Sequence, residues 1–202
     1  MSSTNRGSQR SPADFYPTPA WCVARLLEAA ALPGGHWMEP CAGDGSLIRS
    51  CNAYRSDIHW SAAELRPACR LDLEALIGDP GRVHIGDLLE SEDWLRAQSP
   101  DVIITNPPFR LAREVMSVLV GNGATVVLLL RLNFLASAQR APFMRRHPPD
   151  VYVLPNRPSF IGGGKTDSVE YAWFVWPGSS AARASGQLQV LAPTPVQERR
   201  SK

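Results

Sequence analysis

An alternating α/β chain built on one doubly wound, mostly parallel sheet is the fold class that three observations in this sequence predict. Short apolar runs rich in β-branched residues alternate with stretches whose apolar residues recur at helical spacing. A strand-like segment at residues 36–39 runs directly into Pro40-Cys41-Ala42-Gly43-Asp44-Gly45 and then a helix-like segment opening Ser46-Leu47-Ile48. Several strand-like runs end in a carboxylate or an amide, at Glu39, Glu64, Asp87 and Asn106. The carboxyl edge of an open α/β sheet is where such folds place their chemistry.

Taken in order, residues 1–13 are rich in Ser, Arg, Gln and Gly with little to bury, and predict a disordered leader. In Asp14-Phe15-Tyr16-Pro17-Thr18-Pro19, Thr18 is placed to cap a helix and Pro19 to occupy its first position. Trp21, Val23, Leu26, Leu27 and Ala30 then form a helical stripe that Leu32-Pro33-Gly34-Gly35 ends. After strand 36–39, Gly43 and Gly45 lack a Cβ and let the backbone approach a ligand closely. The third glycine of a dinucleotide fingerprint is missing, since Ile48 stands there. A second strand, 58–63, ends at Glu64, about 20 residues past the Gly turn, where this fold class sets a carboxylate on ribose hydroxyls. Residues 67–77 predict a helix, 83–85 a third strand ending at Asp87, 91–98 a short helix and 102–105 a fourth strand.

Residues 111–120 predict a helix stopped by Gly121-Asn122-Gly123, and 124–130, the most apolar run, a central strand. Arg131-Leu132-Asn133-Phe134 leaves its end, followed by a basic helix at 136–146 and a sixth strand at 151–154. Residues 155–168, with Arg157, Phe160, three successive glycines and Lys165, predict a mobile basic loop. A last strand follows at 169–176, and the Ser-, Ala-, Gln- and Pro-rich residues 177–202 predict a disordered tail. One domain, 14–176, results.

The net charge of +2 announces no bulk polyanion binder, but its distribution is uneven. From Glu39 to Asp101 twelve acids face six Arg, a balance of −6; from Arg131 to Lys165 six cations face Asp150 alone, a balance of +5. That split suggests a cationic ligand at one place and a polyanion at another, with ordinary solvated charge as the other reading. Cys22, Cys41, Cys51 and Cys69 show no metal-type spacing and the four His are scattered, so neither a metal nor a disulfide framework is expected. No apolar run is long enough for a membrane span and no hydrophobic signal region opens the chain, so a cytoplasmic protein is expected.

Asn106-Pro107-Pro108-Phe109 carries the chemistry. The two prolines forbid continuation of strand or helix and fix the backbone just past the fourth strand. The Asn106 side-chain carbonyl and the Pro107 carbonyl are acceptors, and Phe109 supplies a flat face, a combination that suits an aromatic amine. Asn-Pro-Pro is also ordinary turn chemistry.

Three segments together resemble the S-adenosylmethionine-dependent methyltransferases. Glu39-Pro40-Cys41-Ala42-Gly43-Asp44-Gly45 resembles their cofactor motif. Asn106-Pro107-Pro108-Phe109 resembles the catalytic motif of the amino-methylating group, above all the adenine-specific DNA enzymes. Asp14-Phe15-Tyr16-Pro17-Thr18-Pro19 resembles a further cofactor motif near the N-terminus. The resemblance covers residues 14 to 176 and implies a class I, Rossmann-like sheet of seven mostly parallel strands, helices on both faces and a reversed last strand. It implies that Glu39, Pro40, Gly43 and Gly45 shape the pocket for the methionine part of the cofactor, that Glu64 holds the ribose and that Asp87 meets the adenine. It further implies that Tyr16 and Thr18 close over the methionine end and that Asn106 serves both cofactor and acceptor. Arg131, Asn133, Arg157, Phe160 and Lys165 are the expected contacts to DNA carrying a flipped adenine. The tetrad also occurs, with Tyr last, in enzymes acting on a protein glutamine amide, and in RNA adenine methyltransferases. Unlike sequence-specific members, the chain offers only the 155–168 loop and the tail for target recognition, so limited sequence specificity is expected.

Overall fold

The most apolar run of the chain lies inside the sheet, where its composition requires it to be. The computed structural model describes residues 17–160, 167–179 and 186–200. In it β5 (Thr125–Arg131) is buried along its length until Arg131 emerges. It is flanked by β4 (Val102–Thr105) on one side and β7 (Tyr171–Trp176) on the other. Beyond β4 lie β1 (Gly35–Glu39), β2 (Ile58–Glu64) and β3 (Val83–Ile85); beyond β7 lie β6 (Asp150–Val153) and β8 (Leu188–Val190). Strands β1 to β5 pair in parallel, and β7 runs antiparallel to both β5 and β6. This is the expected seven-stranded order with the seventh strand reversed, extended by one strand more.

Side chains alternate across the sheet, which divides the core in two. Trp37, Trp60, Ile104 and Leu129 pack beneath α1 (Ala20–Ala29), α2 (Ser46–Asn52) and α3 (Arg70–Ile77). Met38, Ile103, Leu128 and Phe174 face α4 (Glu92–Gln98), α5 (Ala112–Leu119) and α6 (Ala141–Arg146). From β1 the chain builds outward through β2 and β3, then returns to add β4 and β5 on the other side. The order therefore reverses between β1 and β4, which opens a crevice at their carboxyl ends.

Three local expectations need correction. Pro19 rather than Thr18 occupies the cap position of α1, and no side chain caps that helix. The basic helix is shorter than 136–146: it runs only Ala141–Arg146, and a 3-10 turn at Leu132–Leu135 precedes it. Residues 186–200 of the expected tail are ordered. Strand β8 pairs in parallel with β6, Thr194 N–H donates to Asn156 Oδ1 at 2.7 Å, and Glu198 of α7 (Val196–Arg200) pairs with Arg25 of α1 at 3.1 Å. The strand was invisible to pattern because all three of its residues are exposed, and the segment's apolar anchor is the single residue Leu191. By covering the outer side of β6, this segment shields an edge that would otherwise present unpaired backbone groups.

Leu191 is 4% exposed. Leu191→Ala is expected to cost about 2 kcal/mol in urea unfolding, the low end for a buried leucine because an edge site can collapse. A loss below about 0.5 kcal/mol would show that the segment is not docked.

Candidate active site

The crevice at the switch point is a cleft that opens to solvent. Glu39, Glu64 and Asp87 all line it, each from the carboxyl end of its strand or the turn beyond. Their local bonds differ, and the differences define the site. Glu64 Oε2 accepts the Gly43 N–H at 2.7 Å, while Oε1 accepts the Arg66 N–H at 3.0 Å and Nε at 2.7 Å. The same carboxylate that faces the cleft thus also holds the Gly turn in shape. Asp87 Oδ1 accepts the Leu89 N–H at 2.9 Å and so caps the turn Leu88–Glu90.

Glu39 is 3% exposed, and its Oε2 is buried without a hydrogen-bond partner among the described residues. Burial pushes its carboxyl well above the usual range, and the negative charges of Asp44 and Glu64 add to that. A buried acid beside two others is an arrangement that a bound cation would relieve.

Pro40, Gly43 and Thr18 line the cleft as expected. Thr18 is buried there, which accounts for its absence from the helix cap. Gly45 is a correction. It sits at φ +78° at the start of α2, and a Cβ on it would fall 2.5 Å from Leu76 Cδ2. Its missing side chain admits α3, not a ligand. Tyr16 lies outside the described residues. Arg66 and Ser46 also line the cleft, and both escaped sequence reasoning. Arg66, two residues past Glu64, carried the only available signal.

The tetrad straddles two compartments. Asn106 and Pro108 line the acidic cleft. The Pro108 carbonyl accepts the Leu111 N–H at 2.9 Å, which leaves the Pro107 carbonyl as the one this turn does not use. Phe109 belongs to an aromatic cluster with Phe160 (ring centroids 6.3 Å apart) and Tyr171 (5.7 Å). The Arg131 guanidinium lies 4.5 Å from the Phe109 ring centroid. Its Nε donates to Tyr171 Oη at 3.5 Å, and that hydroxyl donates to Asp167 Oδ2 at 2.7 Å.

Of the expected acceptor contacts, the structure brings only Arg131 and Phe160 to the tetrad. Phe160 is 8% exposed and serves as packing for Phe109 rather than as a surface for a ligand, which corrects that expectation. Arg157 does not stand free, because both its Nε and Nη2 donate to Glu170, and the pair neutralises the charge. Asn133 is exposed in the turn Leu132–Leu135, and its carbonyl, like that of Phe134, accepts from Arg140. Lys165 lies outside the described residues. Arg110, immediately after the tetrad, is exposed and makes no ion pair among the described residues. It was overlooked because it falls between the acidic and basic blocks.

All four cysteines are free thiols. Among the described residues no cluster of three or more His, Cys, Asp or Glu is placed to hold a metal, and no helix is long and apolar enough to cross a membrane.

The state of Glu39 has a measurable consequence. An acid whose folded pKa exceeds its unfolded value stabilises the fold only while protonated, and that contribution is lost as pH rises through the window between the two values. The thermal midpoint of the ligand-free protein should therefore fall as pH climbs above the ordinary carboxylate range, and Glu39→Gln should flatten that fall. Identical profiles for the two proteins would contradict the buried-acid account.

No family model and no curated protein matches this sequence. Solved structures do. The 23S rRNA methyltransferase ErmE superposes with a TM-score of 0.56 at 13% identity, covering 82% of this chain and 70% of its own. An O-methyltransferase, so designated, from Agrobacterium tumefaciens gives 0.53 at 16%, covering 87% and 86%. A protein designated a class I S-adenosylmethionine-dependent methyltransferase from Listeria monocytogenes gives 0.52 at 11%, covering 85% of this chain. This chain spans 61% of the length of the Listeria protein. At such identities the likeness is one of fold, and the fold is that of the class I S-adenosylmethionine-dependent methyltransferases.

Proposed function

We propose that the chain transfers a methyl group from S-adenosylmethionine to the 6-amino group of adenine in DNA. The observation that carries this reading is the placement of the tetrad. Asn106 lines the acidic cleft at the switch point, and Phe109, three residues on, stands in an aromatic and cationic rim outside it. One rigid turn therefore joins a site suited to a cation with a site suited to a flat amine.

The residues of the cleft fit the cofactor that the fold implies. When bound, S-adenosylmethionine supplies an electrophilic methyl group on a sulfonium cation. Glu39 offers it a buried carboxylate oxygen with no hydrogen-bond partner among the described residues, Glu64 and Asp87 extend the acidic lining, and Thr18 and Gly43 complete the wall. On the acceptor side, the lone pair of an adenine amine is delocalised into its ring, which makes it a poor nucleophile. The Asn106 side-chain carbonyl and the Pro107 carbonyl accept its two hydrogens and favour a tetrahedral nitrogen whose lone pair is free to attack. Most of the rate enhancement comes from positioning and from these preorganised acceptors. No covalent protein intermediate is required.

Phe109 holds the base once it leaves the duplex. Flipping costs a few kcal/mol, and stacking on an aromatic side chain returns roughly 1–3 kcal/mol. Arg110 and Arg131 give the rim a positive charge that favours a polyanion over a protein glutamine. The segments on this edge outside the sheet are short, and backbone charges supply affinity rather than sequence choice, so specificity is limited.

Transfer of radiolabelled methyl to DNA, RNA and protein separates the substrate classes. The expected result is label in DNA, recovered as N6-methyladenine, with Asn106→Ala lowering turnover by roughly 100-fold or more. Label confined to RNA or protein would replace the substrate, and an Asn106→Ala enzyme with normal turnover would refute the chemistry. Phe109→Ala should lose more activity on duplex than on single strands, because only the duplex demands flipping. Equal losses would remove base flipping as the reason for the ring.

A further inference from the structure

We propose that Arg131 is the specificity-determining residue of the acceptor pocket: it covers the Phe109 ring until a phosphate-bearing acceptor draws it away. The inference rests on the reading of Phe109 as the stacking platform. Phe160 and Tyr171 are buried residues that pack against Phe109 from the interior, whereas Arg131 is exposed. Among the described residues, Arg131 therefore meets the ring from the exposed side of this group, its guanidinium 4.5 Å from the centroid. A flat acceptor approaching from solvent meets that same side. Ring and guanidinium are both planar, and each excludes the other's ligand from the stacking position.

The backbone of Arg131 cannot move with the acceptor, because it pairs with Tyr171 at the end of β5. Its side chain can. It is held by a ring face and by one long hydrogen bond, of 3.5 Å, to Tyr171 Oη. Several other arginines are held by carboxylates. Arg66 is paired with Glu64, Arg113 with Glu114 and Arg157 with Glu170, but among the described residues no carboxylate pairs with Arg131. Asp167 reaches it only through the Tyr171 hydroxyl, and a guanidinium with no carboxylate bonded to it directly presents planar paired donors that match a phosphate. A base entering with its own phosphate thus supplies the ligand that Arg131 lacks as it takes the place that Arg131 leaves. A free base, a nucleoside or a neutral amide displaces the same cation and gives it nothing in return. The acceptor class is therefore a flat amine carried next to a phosphodiester.

The test uses the full chain with S-adenosylhomocysteine present and two single-stranded oligodeoxynucleotides. One carries a central 2-aminopurine, whose fluorescence reports stacking; the other is identical except for neutral methylphosphonate linkages on both sides of that base. Wild-type protein should bind the neutral strand about tenfold more weakly. Arg131→Ala should bind the charged strand about tenfold more weakly than wild type, with no further loss on the neutral one. It should bind the neutral strand at least as well as wild type does, because no guanidinium then competes with the base for the ring. Arg131→Lys should restore part of the preference, since it returns charge without the planar donors. Arg131→Ala binding both strands more weakly by one common factor, with the preference intact, would overturn the proposal and leave Arg131 as packing for the ring. If Arg131→Ala loses cofactor affinity in calorimetry and has therefore misfolded, Arg131→Gln, planar but uncharged, must lose the preference instead. Failure of wild type to bind either strand, with methyl transfer to another substrate class, would sink the DNA reading and this inference together. Methylation of DNA with an unchanged linkage preference would sink this inference alone.

Discussion

A buried carboxylate with one oxygen unpartnered among the described residues is the constraint around which this molecule is arranged. Glu39 ends β1 at the place where strand order reverses, and its Oε2 has no hydrogen-bond partner among the described residues. Ionised carboxylates resist burial unless a cation or a set of donors compensates them. Here burial and the negative charges of Asp44 and Glu64 outweigh the relief that Arg49 and the Ile48 N–H provide. Such a site is stable enough to fold because the acid can hold a proton, and it gains most when a cation arrives. The sheet topology makes the position possible. Between β1 and β4 the helices diverge to opposite faces, so the crevice stays open while its walls remain rigid.

The Gly turn and the tetrad then act as two rigid lips of one crevice. Glu64, at the end of the neighbouring strand, reaches across to the Gly43 N–H and holds the first lip. The prolines hold the second, and the bond from Leu111 N–H to the Pro108 carbonyl passes that rigidity to α5. Asn106 and Phe109 are thereby fixed relative to the acidic wall with no mobile loop between them. Beyond the tetrad the character of the surface changes from acidic to cationic and aromatic, with Arg131 and Tyr171 at Phe109 and the exposed Arg110 next in the chain.

Much of this geometry was legible in the sequence because it is encoded locally. Apolar runs specify strands, the acids at their ends mark the carboxyl edge, and prolines cannot lie about where a strand stops. What stayed hidden depends on partners distant in sequence. Arg157 looks like a free cation until Glu170, on the far side of the loop, is brought against it. Phe160 looks like a loop aromatic until Tyr171 and Phe109 bury it. Gly45 belongs to a ligand-type motif, yet its space is taken by Leu76 of α3. The segment with β8 and α7 lacked any periodic apolar signal because its strand covers an edge and not a core, so it resembled a tail. In each case residue type was informative, and only tertiary pairing decided its use.

The central claim is that the acidic crevice holds a cationic methyl donor through Glu39. Calorimetric titration of S-adenosylmethionine, repeated in buffers of different ionisation enthalpy, tests it most directly. If the buried carboxyl is raised as described, binding should be one-to-one and accompanied by net proton release near neutral pH, because the bound cation favours the ionised acid. Glu39→Gln should bind more weakly and release no proton. Absence of binding, or binding whose affinity and proton count are untouched by Glu39→Gln, would contradict the account.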